Sequence, residues 1–134
     1  MCGAVRYVAD IGATFGVCYC KMCQRWASGA YMGVNTENFR ITKGEDSLTV
    51  FKSSDWAKRG FCNTCGSNVY YSVPEHDNLS IAFGSLDDTS GLTPRIQYFI
   101  EKKPEGFSLE QQTEVMTEAE IEALYGVPSE EANQ

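Results

Sequence analysis

The chain is defined first by what it lacks. No apolar run among its 134 residues approaches the length of a membrane-crossing helix, so a bilayer-spanning protein is not expected. The opening Met1-Cys2-Gly3-Ala4-Val5-Arg6 carries no apolar segment of the kind that marks an export signal. There is no internal repeat and no low-complexity linker, so one domain is the expectation. Positive charge is scarce, with 11 Lys and Arg against 18 Asp and Glu. The deficit is local: residues 1–100 carry nine of each sign, and the net −7 arises beyond them, where Lys102 and Lys103 face nine glutamates. An acidic tail repels phosphate backbones, which disfavours nucleic acid as a partner. A solvated helix face accounts for those glutamates. There is one histidine, His76, in the polar loop Pro74-Glu75-His76-Asp77-Asn78, where an exposed and idle imidazole is expected.

Cysteine, by contrast, is plentiful and clumped. Six thiols fall at Cys2, at Cys18-Tyr19-Cys20-Lys21-Met22-Cys23 and at Cys62-Asn63-Thr64-Cys65. Thiolates two or three residues apart converge on one tetrahedral ion without long-range folding, and Zn²⁺ favours such ligands. A disulfide framework is the competing reading. It fits poorly: no export signal is visible, a Cys18–Cys20 bridge would strain its geometry, and the chain is long enough to bury a core without staples. Reduced cysteines point to the cytoplasm.

The first hundred residues read as short strands. Alternation or β-rich composition marks residues 5–8, 14–17, 31–34, 39–42, 48–51, 58–61, 68–73, 79–83 and 95–100, the last expected to be the final strand. Lys43-Gly44-Glu45-Asp46 suggests a hairpin between 39–42 and 48–51. Pro74 should stop the strand before it, and residues 23–29 suit a short helical turn. The fold class expected is mainly β, with several coiled antiparallel sheets and a short C-terminal helix. That helix opens on the capping box Thr117-Glu118-Ala119-Glu120. It would turn Ile121, Leu124 and Tyr125 to one face and end at Gly126 and Pro128, with residues 129–134 frayed.

Spacing alone leaves two partitions of the thiols. Cys20/Cys23 with Cys62/Cys65 would make one zinc ribbon, a closed structural site. Alternatively Cys2 joins Cys62 and Cys65, while Cys18, Cys20 and Cys23 hold a second ion that keeps an open position, as catalytic zinc does.

A wider pattern surrounds these cysteines. Cys2-Gly3-Ala4-Val5-Arg6-Tyr7, Cys18-x-Cys20-x2-Cys23-x-Arg25, Ser28-Gly29, Ser53-Ser54, Arg59-x-Phe61-Cys62-x2-Cys65-Gly66-Ser67 and Gly84-Ser85-Leu86-Asp87-Asp88 occur in order. From Cys2 to about Pro104 the chain resembles the glutathione-dependent formaldehyde-activating enzyme family, whose domain centromere protein V shares. The resemblance implies an Mss4-like fold with zinc knuckles over residues 1–104, followed by an acidic extension, 105–134, whose short helix packs on it. It implies two zinc ions per chain: a structural one at Cys2, Cys62 and Cys65, and a catalytic one at Cys18, Cys20 and Cys23. The activity implied is carbon–sulfur lysis, joining or splitting an adduct of a small thiol such as glutathione and an aldehyde such as formaldehyde. The family pattern opens with C-x-C-G. Cys2 matches its second cysteine, so a fourth donor must come from residues before Met1, solvent, the terminal amine or His76. Tyr19 stands where the family commonly has histidine, and the tail lacks an obvious tryptophan-containing family ending.

Lys21, Arg25 and Arg59 flank the clumps and could bind glutathione carboxylates, although a solvated charge or a donor to cysteine sulfur is the plainer role. Asp87 and Asp88 suit turn stabilisation better than general-base work. Trp26 and Trp56 are expected in packing. Two alternatives to the lyase stand: a non-catalytic Mss4-like zinc module that binds protein, and a single-metal ribbon.

Overall fold

The computed structural model describes residues 1–126. Pro128 and residues 129–134, expected to end the last helix and to fray, lie outside the described residues. In chain order the elements are β1 (Arg6–Ile11), β2 (Thr14–Cys18), α1 (Lys21–Ala27), β3 (Tyr31–Lys43), β4 (Leu48–Lys52), β5 (Lys58–Cys62), β6 (Asn68–Val73), β7 (Asn78–Ala82), β8 (Thr93–Tyr98), β9 (Glu114–Met116) and α2 (Glu118–Tyr125). The fold is mainly β, as expected. The chain divides into two compact units: Met1–Ala13 with Gly33–Gly91, and Thr14–Met32 with the chain from Leu92 onward.

The first unit is antiparallel throughout. Its strands run β4-β5-β6-β7-β3, with β1 paired to β3. Val34 and Ile81 face each other across β3 and β7 and are wholly buried. Side chains of that size contribute about 1.5–3 kcal/mol each when fully buried. Tyr7, Phe39 and Tyr70 form a chain of rings, with centroids 5.2 and 5.4 Å apart. Gly60 lies beneath Tyr70, whose Cε1 would be 2.6 Å from a Cβ at that position. Pro74 ends β6 at Val73, because it has no N–H to extend the ladder.

The expected hairpin between 39–42 and 48–51 does not form. The end of β3 pairs with β1 (Arg6↔Lys43, Tyr7↔Ile41), while β4 pairs with β5. Gly44 is left-handed (φ +73°), as the turn reading required. Ala4, however, packs against it so closely that a Cβ would fall 1.9 Å from the Ala4 carbonyl oxygen. The N-terminal segment thus crosses the connection and claims the edge of β3.

The second unit departs from the antiparallel expectation. β2 pairs with β8 in parallel (Val17↔Gln97, Cys18↔Tyr98), and β8 pairs in parallel with β9. Two-residue hairpins cannot join parallel strands, so short-range turn signals carry no trace of these pairings. β8 is consequently not the last strand; the three residues of β9 follow it. Phe15, Val17, Tyr19, Ile96 and Ile121 are buried here. α2 has its capping box: the Thr117 hydroxyl accepts from the Glu120 N–H, and the Glu120 carboxylate accepts from the Thr117 N–H at 2.7 Å. Of its expected apolar face only Ile121 is buried; Leu124 and Tyr125 are exposed. An ion pair from Lys102 to Glu118 (2.8 Å) secures its first turn. No helix among the described residues is long and apolar enough to cross a membrane.

Candidate metal centres

Strand alternation builds the first centre. β2 delivers Cys18 at its last position. The next side chain, Tyr19, goes to the opposite face with buried Phe15 and Val17. The chain stays extended at Cys20 (φ −58°, ψ 152°), which returns its thiol to the Cys18 side. Cys20 is also the N-cap of α1, and its Sγ accepts from the backbone N–H of Cys23 at 3.3 Å. Cys23 projects from the first turn of that helix and is buried. The three Sγ atoms all lie within 4.8 Å of one another.

A sharp turn builds the second. Cys62 closes β5. The chain then reverses: Gly66 N–H donates to the Cys62 carbonyl (2.8 Å), and Cys62 N–H donates to the Ser67 carbonyl (2.9 Å). Gly66 takes a left-handed φ of +76°, which glycine adopts without a Cβ penalty. Cys2 reaches the same spot from the N-terminal segment, with its Sγ accepting from Ala4 N–H at 3.5 Å. Cys2, Cys62 and Cys65 also hold their sulfurs within 4.8 Å.

Both donor sets fit a thiophilic dication. A tetrahedral ion with Zn–S bonds of about 2.3 Å sets neighbouring sulfurs about 3.8 Å apart. The Cys2 and Cys62 sulfurs stand at 3.7 Å, and all six cysteines are free thiols rather than disulfides. The ribbon grouping of Cys20/Cys23 with Cys62/Cys65 does not occur among the described residues. Neither trio gains a fourth Cys, His, Asp or Glu ligand there. His76 is exposed in a turn and does not join the Cys2 group.

Individual thiols in the two trios differ in proton affinity. Hydrogen bonds with Cys20 and Cys23, together with burial, push the Cys18 thiol well up. At Cys20 the contact with Cys18 pulls downward, but the contact with Cys23 and burial prevail, and the thiol rises to about 11. Cys65 goes the other way, down to about 6, chiefly because the Ser67 hydroxyl bonds its sulfur at 3.2 Å. Cys18 and Cys20 hold their protons until a cation replaces them, whereas Cys65 is largely ionised beforehand.

The remaining candidates separate by exposure. Lys21 and Arg25 are exposed on α1, one turn apart on one face. Arg59 is buried, its guanidinium 5.0 Å from the centroid of the Tyr71 ring. Asp87 pairs with Arg6, and Asp88 accepts from Ser90 N–H at 2.8 Å. Trp26 packs on Tyr31 with centroids 5.2 Å apart. Trp56 lies in the connection before β5.

The chain is similar to known proteins. The family model described as glutathione-dependent formaldehyde-activating enzyme matches residues 1–102. The chain belongs to this family. A curated relative within reach, an uncharacterized lyase of Schizosaccharomyces pombe, is 24% identical over 123 residues, covering 90% of each chain. A crystal structure of a Rhodobacter sphaeroides protein superposes with a TM-score of 0.56 at 22% identity, covering 64% of this chain and 83% of that one. At such identity the structural likeness speaks for the fold alone.

Sequence reasoning missed what surrounds the first trio. Tyr19 donates its O–H to Gln97 Oε1 at 2.6 Å, and Gln97 Nε2 donates to Thr113 Oγ1 at 2.8 Å. Gln24 Nε2 donates to the Tyr19 carbonyl and, at 3.1 Å, to that of Lys102. Only the position of Tyr19 between two cysteines hinted at this, since alternation turns it away from them.

Proposed function

We propose that this protein is a carbon–sulfur lyase of the family's type, joining or splitting a thiol–aldehyde adduct such as S-hydroxymethylglutathione. The carrying observation is the Cys18/Cys20/Cys23 trio: three sulfurs within 4.8 Å and no fourth protein ligand among the described residues. When bound there, zinc would supply Lewis acidity and a fourth position suited to a substrate thiolate. Cys2, Cys62 and Cys65 would hold a second zinc that fastens the N-terminal segment to the β5–β6 turn. The name of the fungal relative supports the lyase reading.

The chain's own side chains supply binding. Lys21 and Arg25 present two cations on the helix that carries Cys23, and glutathione brings two carboxylates. Arginine forks onto a carboxylate in two parallel hydrogen bonds, so Arg25 is the stronger candidate. Arg59, buried against Tyr71, suits packing better than substrate capture. In the synthetic direction the thiol sulfur bonds to the aldehyde carbon, and the thiol proton ends on the former carbonyl oxygen. Cleavage reverses both changes. Six free thiols suit a reducing compartment such as the cytoplasm.

Formaldehyde and glutathione also combine without a catalyst, so the test is acceleration. Exchange between S-hydroxymethylglutathione and its components is followed by NMR with and without protein. The expected result is faster exchange with the wild type and the blank rate with Cys20→Ala. Protein carrying metal at both trios yet leaving the blank rate unchanged would favour the non-catalytic zinc module.

A further inference from the structure

Tyr19 is the residue between two ligands of the first trio, and each of its three polar groups is engaged. Its N–H donates to the Tyr98 carbonyl at 3.1 Å, continuing the β2–β8 ladder by one residue. Its carbonyl accepts from Gln24 Nε2. Its hydroxyl donates to Gln97 on β8, which Thr113 holds in turn. The ring is wholly buried and meets Phe107 edge-on, with centroids 6.2 Å apart. Alternation places the ring and its hydroxyl on the face opposite the thiols of Cys18 and Cys20.

We propose that Tyr19 is the positioning residue of the Cys18/Cys20/Cys23 centre, fixing the Cys18–Cys20 segment at metal-binding spacing before any ion arrives. The inference rests on reading that trio as a metal site. A two-residue step between ligands leaves the backbone dihedrals of Cys18, Tyr19 and Cys20 to set the distance between the first two sulfurs. Anchoring Tyr19 at N–H, C=O and O–H removes most of that freedom. A site held by rigid neighbours loses less conformational entropy when it binds. Tyr19 touches no reacting atom in this account; it acts through the two cysteines beside it. In the second trio a glycine-containing turn sets the Cys62–Cys65 spacing, and Asn63 within it donates its N–H to the Ser47 carbonyl (2.8 Å) and its Nδ2 to the Asp46 carbonyl (3.2 Å), none of which involves Tyr19.

The test uses the reduced full-length chain and Co²⁺ in place of zinc, since cobalt–thiolate absorption reports each site. Cys20→Ser and Cys65→Ser assign the bands to the two trios, and a competing chelator gives each affinity. Tyr19→Phe should weaken cobalt binding at the first trio by about tenfold and leave the second trio unchanged, as loss of a partner behind the ligands does elsewhere. Tyr19→Phe leaves Gln97 Oε1 without its donor and so lowers the melting temperature as well. Tyr19→Phe/Gln97→Leu removes both partners of that bond, and should recover part of the melting temperature, since Thr113 Oγ1 loses the Gln97 donor, while the first trio stays weak. Unchanged affinity at the first trio, equal weakening of both trios, or affinity that recovers with melting temperature in the double variant would each overturn the proposal. Wild-type cobalt stoichiometry that Cys20→Ser does not lower would overturn the metal assignment itself, and this inference with it.

Discussion

Gly44→Ala offers a quantitative trial of how the N-terminal segment is held. Gly44 sits at φ +73°, and a left-handed conformation costs a residue with a Cβ about 1–2 kcal/mol. The added methyl would also fall 1.9 Å from the Ala4 oxygen and 2.8 Å from its carbonyl carbon. Both are backbone atoms, so the segment itself must move, at a further cost of about 1–3 kcal/mol. The combined loss, about 2–5 kcal/mol, corresponds to a melting temperature lower by about 10–15 °C for a domain of this size. Relief by displacing Ala4 carries Cys2 away with it, so metal at the Cys2/Cys62/Cys65 trio should weaken too. Gly91→Ala is the control: its φ is +78°, and nothing lies within 4 Å of the added carbon. It should cost only the backbone strain, about 1–2 kcal/mol, and leave the metal content alone. Thermal melts and metal analysis of the two variants decide the matter. Equal melting temperatures with two metals retained in both would refute the reasoning.

Other consequences are as direct. Gly60→Ala pushes a carbon to 2.6 Å from Tyr70 Cε1, so the Phe39–Tyr70 ring contact should open, with a stability loss of about 1–3 kcal/mol in a denaturant titration. Thr117→Ala removes the cap of α2 and should cost about 1 kcal/mol, read from the same titration. The Thr117 N–H, then its hydroxyl, hold the Glu120 carboxyl below its usual 4.5. A depressed carboxylate stabilises the fold at neutral pH, and that share fades as pH falls from 4.5 through the folded-state value. Thr117→Ala removes the hydroxyl but keeps the backbone N–H, so the acid loss attributable to Glu120 should shrink without disappearing. At pH 7 the first trio, with Cys20 at about 11, should release more protons per metal bound than the second, with Cys65 at about 6. A pH indicator in weak buffer reads the difference between Cys65→Ser and Cys20→Ser proteins. Acidification should strip the first trio before the second.

Local chemistry was legible in the sequence, and long-range pairing was not. The Thr117/Glu120 box, the stop at Pro74 and the Gly66 turn each depend on residues within four positions. Each is present. Residues 39–42 and 48–51 also looked like one local unit. Their pairing was decided by Ala4 lying over Gly44, a contact forty residues distant in sequence. The parallel ladders of β8 leave no turn signature, so β9 went unseen. On the candidate sites, spacing alone left two groupings of the thiols open, and family resemblance favoured the one observed. The glutamines around Tyr19 were unreadable because nothing in Gln24 or Gln97 distinguishes a buried tether from a surface amide. Leu124 and Tyr125 matched a helical period, yet only Ile121 found a core to enter.

The central claim is that two metal ions occupy two separate thiolate trios, one of them open to a substrate sulfur. Elemental analysis of reduced protein, combined with anomalous scattering to locate each ion, tests it most directly. The account predicts two zinc ions per chain, one among Cys18, Cys20 and Cys23 with a non-protein fourth ligand, and one among Cys2, Cys62 and Cys65. A single ion shared by Cys20, Cys23, Cys62 and Cys65, or a protein side chain completing the first trio, would contradict it.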